Sequence, residues 1–187
     1  MKYLISFLFL ALAFSMKSEA KVTLPSILGD NMVLQQQAEV KLWGKARPNA
    51  TVTVKTSWNG QTYKFSSDGK GGWSLTVSTP VAGGPYKIIF NDGELLTLQN
   101  VLIGEVWFCS GQSNMEMPMG CFDRQPVRGA NDIIAKAKPS TPIRMYTTDS
   151  KDGRWVRQFS KTPAEDCQGE WLENTPVNVS HISAVSY

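Results

Sequence analysis

Residues 101–115 read VLIGEVWFCSGQSNM, a nearly continuous apolar run that ends in small and polar side chains. Such uniform hydrophobicity is typical of a strand buried on both faces, as in a parallel sheet. Downstream, Ala130–Lys138 has apolar residues at helical spacing before a proline, and Ile143–Thr147 has the composition of a second strand. The order strand, helix, strand predicts a βαβ unit, and with it a layered α/β domain that starts at residue 101.

Residues 21–100 have the pattern of an all-β domain instead. Short alternations of apolar and polar residues, such as Thr51–Thr56 and Trp73–Val77, recur about every ten residues, and turn signals such as Asn59-Gly60 separate them. This spacing predicts an antiparallel β-sandwich whose aromatic residues lie mostly in the core. The predicted fold class is therefore mixed: an antiparallel β-sandwich followed by an incomplete α/β layer over residues 101–187.

The composition narrows the classes of function. Nineteen Lys and Arg residues against sixteen Asp and Glu residues give a net charge of +3, which is too balanced for a nucleic-acid binder that relies on charge. The single histidine, His181, excludes a site that needs two histidine ligands from one chain. The spacing of the three cysteines matches no common zinc motif, so no metal and no cofactor are expected.

Residues 1–20 have the pattern of a secretory signal peptide. Lys2 precedes the apolar run Tyr3–Phe14, which is too short to span a bilayer comfortably. Cleavage is predicted after Ala20, with the mature chain 21–187 secreted or periplasmic and without a transmembrane span.

An oxidising destination affects the interpretation of the cysteines. Cys109 lies within the apolar run and is predicted to be a small buried side chain. Cys121 and Cys167 lie in loop-like sequence and could form a disulfide, which the sequence leaves open. A cysteine hydrolase built on Cys109 or Cys121 is disfavoured, because no His-Asn or His-Asp set accompanies either residue.

Ser113 is the candidate nucleophile. It is predicted to lie just past the end of a strand at 104–109, with a turn or a short helix after it. A serine at the carboxyl edge of a parallel sheet is exposed on a rigid backbone, and the N–H groups that follow it can stabilise an oxyanion. Gly111 permits a tight backbone just before it. A serine in a Gly-x-Ser context is equally compatible with a simple turn cap.

The segment Gly104–Glu116 resembles a sequence motif of the sialate O-acetylesterase family. Members of that family are SGNH-type serine esterases that remove acetyl groups from sugars. Further similar segments lie on both sides, at Leu28–Gln36, Val40–Ala46, Gly72–Leu75, Ala82–Tyr86, Ile143–Arg144 and Ser183–Val185. The resemblance implies that residues 101–187 form the N-terminal part of an SGNH, flavodoxin-like hydrolase domain.

The same resemblance implies that Ser113 attacks the acetyl carbonyl, with a histidine as base and an aspartate that orients the histidine. In the family these two residues come as an Asp-x-x-His pair far downstream, and the present sequence contains no such pair. His181 has no acidic neighbour, so it is expected to be a surface or cap residue beside a helix that Ser180 caps. The substrate would be an O-acetylated carbohydrate, and little activity is expected of the 187 residues alone.

The main alternative is a secreted, non-catalytic β-sandwich module that binds carbohydrate or has a structural role. The string Gln112-Ser113-Asn114 favours the esterase, because a binding module has no need of it at the end of a strand.

Overall fold

The computed structural model describes residues 22–148, 150–151, 154–155 and 166–187. The signal peptide predicted over residues 1–20 lies outside these ranges. Among the helices that are described, none has the length and the apolar character needed to cross a membrane.

From residue 22 to Gly104 the described chain consists of strands and connections, and the described helices all lie after Gly104. The strands of the first part are β1 (Val33–Gln35), β2 (Glu39–Lys45), β3 (Thr51–Thr56), β4 (Thr62–Ser66), β5 (Gly72–Ser78), β6 (Gly83–Asn91) and β7 (Leu95–Gly104). The second part contains α1 (Ser113–Glu116), α2 (Ala130–Lys136), β8 (Arg144–Tyr146), β9 (Ser150–Lys151), β10 (Arg154–Trp155), β11 (Trp171–Glu173) and α3 (Pro176–His181).

Each alternating segment predicted between residues 40 and 98 is a strand, and residues 50–98, all of which are described, contain no helix. These strands form a five-stranded sheet in the order β1-β7-β6-β3-β4 and a two-stranded sheet of β2 and β5. The pairs are antiparallel except β1 with β7, which run parallel with Val33 opposite Leu102. The first part is therefore a mixed rather than a purely antiparallel structure.

Both sheets contribute side chains to one hydrophobic cluster. Leu42 of β2 and Val77 of β5 are fully buried in it, as are Val54 of β3 and Phe90 of β6. Trp73 packs between Phe65 and Phe90: its ring centroid is 5.2 Å from that of Phe65 and 5.7 Å from that of Phe90. The aromatic ring of Trp73 therefore lies in the core, as predicted. The mixed, sheet-rich fold is confirmed by this arrangement, whereas the sandwich and the α/β layering stay predictions.

A second, smaller cluster lies in the chain beyond Gly104. It contains Met119, Ala130 and Ala137 around α2, together with Met145 of β8 and Val179 of α3. The helix predicted over Ala130–Lys138 is confirmed as α2. The two clusters meet at β11, where Trp171 packs against the first cluster and the next residue, Leu172, packs against the second. This alternation follows from the two-residue period of a strand.

Two predictions for the second part are wrong. Strand β8 pairs antiparallel with β11, so the predicted βαβ unit with β7 is not formed; both edges of β7 are already occupied, by β1 and β6. No helix begins at the predicted cap Ser180; this residue lies instead near the end of α3, which begins at Pro176 and ends at His181. Its N-cap is Thr175, whose hydroxyl accepts a hydrogen bond from the Asn178 backbone N–H at 3.2 Å.

Candidate active site

The apolar run leaves the sheet at Gly104 and lies on the surface. Strand β7 ends there, and Trp107 and Phe108 are 83% and 92% exposed. The prediction of a buried strand over Val101–Cys109 is therefore wrong from Glu105 onward, and Cys109 is exposed rather than buried. The reason is local: β1 and β6 flank β7 up to Gly104, and no described strand flanks the residues after it.

Ser113 is exposed and is the first residue of α1, so a short helix follows it as predicted. The strand before it ends much earlier than predicted. Helix α1 folds back on the preceding turn, where the Met115 backbone N–H donates to the Gln112 carbonyl at 2.9 Å. A Cβ atom on Gly111 would lie 2.7 Å from Met115 Cγ, so the glycine allows this close approach.

The start of the run is held by a polar contact that sequence reasoning missed. Gln35 and Gln36 donate to the two carboxylate oxygens of Glu105, at 3.1 and 2.6 Å. The side-chain carbonyls of the same glutamines accept from the Val106 and Ala82 backbone N–H groups, at 2.9 and 2.8 Å. The hydrogen bonds from Gln36 and Gln35 lower the pKa of Glu105. We call Gln35, Gln36 and Glu105 the glutamate clamp.

The segment after α1 pairs with the chain around His181. The backbone N–H groups of Met119 and Gly120 donate to the carbonyls of Ile182 and Ser180, each at 2.8 Å. His181 lies between these two acceptors, exposed at the C-terminal end of α3. It is thus a surface residue at a helix end, as predicted. No hydrogen bond within the described ranges joins it to Ser113.

In the described part of the chain, no group of three or more His, Cys, Asp or Glu residues is placed so that it could hold a metal ion.

No family model matches the sequence. Sialate O-acetylesterase of Homo sapiens is 34% identical in a match that covers 49% of this chain and 20% of the relative. The Mus musculus enzyme is also 34% identical, over 49% of this chain and 19% of its own. The crystal structure of a carbohydrate acetylesterase from Xanthomonas citri superposes with a TM-score of 0.76 at 30% identity, covering 89% of this chain and 36% of that one.

The chain is similar to sialate O-acetylesterases over about half of its own length. The likeness is partial, since the chain spans about a fifth of the length of the curated relatives that it matches. The expected family resemblance is confirmed.

Two polar contacts join the second part of the chain to the first. In one, Arg144 of β8 forms an ion pair with Glu173 of β11, with Nη2 and Oε1 3.2 Å apart. Asn100 of β7 lies against both, because it donates to Glu173 at 3.0 Å and accepts from Arg144 at 3.4 Å. Asn100 also donates to Asn31 at 2.7 Å, which extends the contact to the loop before β1.

The second polar contact surrounds Tyr146. Its hydroxyl donates to Ser26 at 3.1 Å, and Ser26 donates in turn to Asp166 at 2.7 Å. The Cys167 thiol lies 3.4 Å from the same tyrosine oxygen. Burial, followed by the hydrogen bond with Cys167, raises the pKa of Tyr146. The raised pKa keeps this hydroxyl protonated, and so able to donate between the two parts, to a higher pH than that of an ordinary tyrosine.

The disulfide that the sequence left open is not formed. Cys121 and Cys167 are both free thiols. Cys121 accepts a hydrogen bond from the Val127 backbone N–H at 3.1 Å, in the second cluster, while Cys167 contacts Tyr146.

Proposed function

We propose that this chain carries the N-terminal part of a carbohydrate O-acetylesterase and that Ser113 is its nucleophile. The observation that carries the proposal is the position of Ser113. It is exposed at the start of α1, in the segment that resembles the esterase motif, and the glutamate clamp anchors the beginning of that segment. The likeness to sialate O-acetylesterases and to a carbohydrate acetylesterase supports the reaction class.

The chemistry proposed for Ser113 is acyl transfer. Its hydroxyl oxygen attacks the acetyl carbonyl carbon, and a base accepts the hydroxyl proton. The tetrahedral intermediate then expels the sugar alcohol and leaves an acetyl-serine, which water hydrolyses to acetate. The substrate class is an O-acetylated carbohydrate, which agrees with the enzymes that this chain resembles.

The base and its orienting acid are proposed to come from polypeptide outside these 187 residues. The sequence contains no Asp-x-x-His, and its single histidine is held at the end of α3. A serine hydroxyl is a weak nucleophile without an adjacent base, and loss of a triad partner costs on the order of 10⁴ in rate. The 187 residues alone are therefore expected to hydrolyse acetyl esters poorly.

Secretion or periplasmic location is part of the proposal. It rests on the positive start at Lys2 and on the apolar run Tyr3–Phe14. An acetylated glycan outside the cytoplasm would be accessible to such a protein.

The experiment that tests the proposal is a chimera. The 187-residue chain is fused to the part of the Xanthomonas citri acetylesterase that it does not match, and acetate release is measured from an aryl acetate and an O-acetylated sugar. The chimera is expected to hydrolyse both, and Ser113→Ala is expected to lower kcat by about 10⁴-fold or more. Ser74→Ala, an exposed serine on β5, is the matched control and is expected to leave kcat unchanged.

Turnover that survives in Ser113→Ala would refute the nucleophile assignment. A chimera that binds the acetylated sugar and releases no acetate would favour the non-catalytic carbohydrate-binding alternative. Loss of turnover in His181→Ala would transfer the role of base to that residue.

A further inference from the structure

The two-stranded sheet of β2 and β5 has one face in the core and one face toward solvent. Leu42 and Val77 point into the first cluster, and the residues next to them in each strand point outward. Seven of the outward residues are exposed: Glu39, Lys41, Trp43 and Lys45 of β2, and Ser74, Thr76 and Ser78 of β5. We call this set the outer face.

Trp43 is the one apolar side chain of the outer face, and 38% of it is exposed. The other positions of the outer face follow the usual rule that the solvent side of an antiparallel sheet is polar. A single exposed tryptophan is ordinary by itself, so its neighbours decide whether the position can bind a ligand. An indole offers a ligand a large apolar surface at a low cost in conformational entropy, because only two torsion angles are fixed.

The strand opposite Trp43 leaves room beside its ring. Ser74 is the direct cross-strand partner of Trp43. Directly opposite residues have Cβ atoms about 4.5–5.5 Å apart, so a large side chain at this position would cover the indole. The contribution of Ser74 is its small size, which alanine would preserve. One pair further along, Thr76 lies opposite Lys41 and adds a hydroxyl group that can donate or accept a hydrogen bond.

Positive charge lies on both sides of the indole. Lys41 and Lys45 are each two residues from Trp43 on the same face, about 7 Å away along the strand. The one carboxylate of the outer face, Glu39, lies at the start of β2 and accepts a hydrogen bond from the Ser78 hydroxyl. Within the residues that the structure describes, no ion pair joins Lys41 to a carboxylate. The surface around Trp43 therefore favours an anionic ligand.

These features together select the chemistry of the ligand. The C–H groups on one side of a pyranose ring carry partial positive charge, and the face of an indole is negative, so the two surfaces attract each other. A carboxylate on the same sugar then lies within reach of a lysine ammonium group, which is a compact charge on a flexible stem. A neutral sugar would gain only the stacking. A second copy of the chain is disfavoured as the ligand, because its outer face would bring the same lysines against these.

We propose that the outer face binds an acidic pyranose residue of a glycan, with the sugar ring on Trp43 and its carboxylate at Lys41. This is a second carbohydrate site, because none of its residues belongs to the segment that contains Ser113. Binding here is independent of the proposed esterase activity, since a non-catalytic chain could hold the glycan in the same way. In an esterase, the outer face keeps the glycan close and raises the local concentration of its acetyl groups.

The test is an NMR titration of the isotope-labelled 187-residue chain with trigalacturonate, a trimer of an acidic pyranose. Backbone signals of β2 and β5 are expected to shift with a dissociation constant of about 1 mM, since an open surface encloses little of a ligand. Trp43→Ala is expected to raise this constant by about tenfold or more, because the stacking surface is lost. Lys41→Met keeps the apolar stem and is expected to raise the constant by about threefold.

The matched ligand is maltotriose, a neutral trimer. It is expected to bind the outer face about threefold or more weakly than trigalacturonate, to lose affinity in Trp43→Ala and to show no response to Lys41→Met. The matched variants are Phe122→Ala and Lys64→Met, at an exposed aromatic residue and an exposed lysine outside the outer face. Both variants are expected to leave the two dissociation constants unchanged.

Part of the Trp43 side chain packs within the protein, so a second variant keeps the test independent of folding. Ser74→Glu places a carboxylate opposite the indole at an exposed position. It is expected to raise the dissociation constant for trigalacturonate by about tenfold, and that for maltotriose by less, because only the first ligand is repelled by the new charge. Circular dichroism of each variant checks that the fold is retained.

Several outcomes would overturn the inference: no binding of trigalacturonate, binding that is unchanged in Trp43→Ala and Ser74→Glu, equal affinity for the two trimers, or self-association of the chain that Trp43→Ala removes. An active fused chimera without binding at the outer face would refute the second site and leave the proposed function standing. Binding that depends on Trp43 and Lys41, in a chain whose fused chimera releases no acetate, would support the second site and count against the proposed function.

Discussion

The ion pair between Arg144 and Glu173 predicts an asymmetric response to mutation. The Arg144 side chain is 4% exposed and the Glu173 side chain is 37% exposed. Removal of the carboxylate charge therefore leaves a buried cation, whereas removal of the cation leaves a carboxylate that water reaches. Of the neutral acceptors near Arg144, Asn100 Oδ1 is 3.4 Å away and the Ile143 carbonyl is 3.2 Å away, while its Nε has no partner.

The magnitudes follow from this geometry. Breaking a fully buried ion pair by removing one partner costs about 3–5 kcal/mol, and partial exposure of Glu173 reduces this figure. We expect Glu173→Gln to lower the free energy of unfolding by about 2–3 kcal/mol. Arg144→Met keeps the apolar stem and removes the buried charge, so a cost of about 1 kcal/mol is expected.

Urea unfolding of the full chain, followed by far-UV circular dichroism, measures both values. Arg128→Met is the matched control, since Arg128 is exposed and a change within about 0.5 kcal/mol is expected. The comparison is made between variants with equal m-values. The reasoning is refuted if Arg144→Met destabilises the protein as much as Glu173→Gln or more.

Three further predictions concern the clamp, the tyrosine and the core. The pKa of Glu105 in the folded protein lies below its usual 4.5, so the glutamate clamp stabilises the folded state fully above pH 4.5 and loses this effect as the pH falls through the lowered pKa. NMR titration of the Glu105 carboxyl should show the lowered pKa, and Gln36→Ala should move it back toward 4.5. Tyr146 should have a pKa above its usual value of 10. The pKa is measured from the difference in absorbance between the wild type and Tyr146→Phe as the pH is raised, and a midpoint at or below pH 10 would contradict the prediction. Phe90→Ala should lower the free energy of unfolding, measured in urea, by about 3–5 kcal/mol, because Phe90 is fully buried. Leu95→Ala should lower it by less than about 0.5 kcal/mol, because Leu95 is exposed.

The strands of the first part could be predicted because their signals are local. Thr51–Thr56 alternates in hydrophobicity, and Asn59-Gly60 marks the turn to the next strand. Both features act over a few residues, and the fold agrees with them.

The end of β7 could not be predicted, because it depends on neighbours that are remote in sequence. Val101 and Phe108 belong to the same apolar run, yet one is fully buried and the other is exposed. Hydrophobicity indicates that a strand should be covered, but it does not show where the covering strands stop. The glutamate clamp has the same origin, because it joins residues about seventy positions apart.

Helix α3 was misplaced for a different reason. The local signal was present, since Thr175 followed by Pro176 is a strong helix start, but it was assigned too far along the chain at Ser180. In the site itself, the exposure of Ser113 and the short helix after it were predicted correctly. The glutamate clamp, which anchors the segment that leads to them, was not predicted.

The most direct measurement is the intact mass of the fused chimera after reaction with a serine-directed aryl phosphonate. We expect one adduct, located on Ser113 by peptide mapping, and no adduct in Ser113→Ala under the same conditions. Acetate release should fall in proportion to labelling. An adduct on another serine such as Ser74, or full hydrolysis of acetyl esters by a chimera that carries the phosphonate on Ser113, would contradict the assignment of Ser113 as the esterase nucleophile.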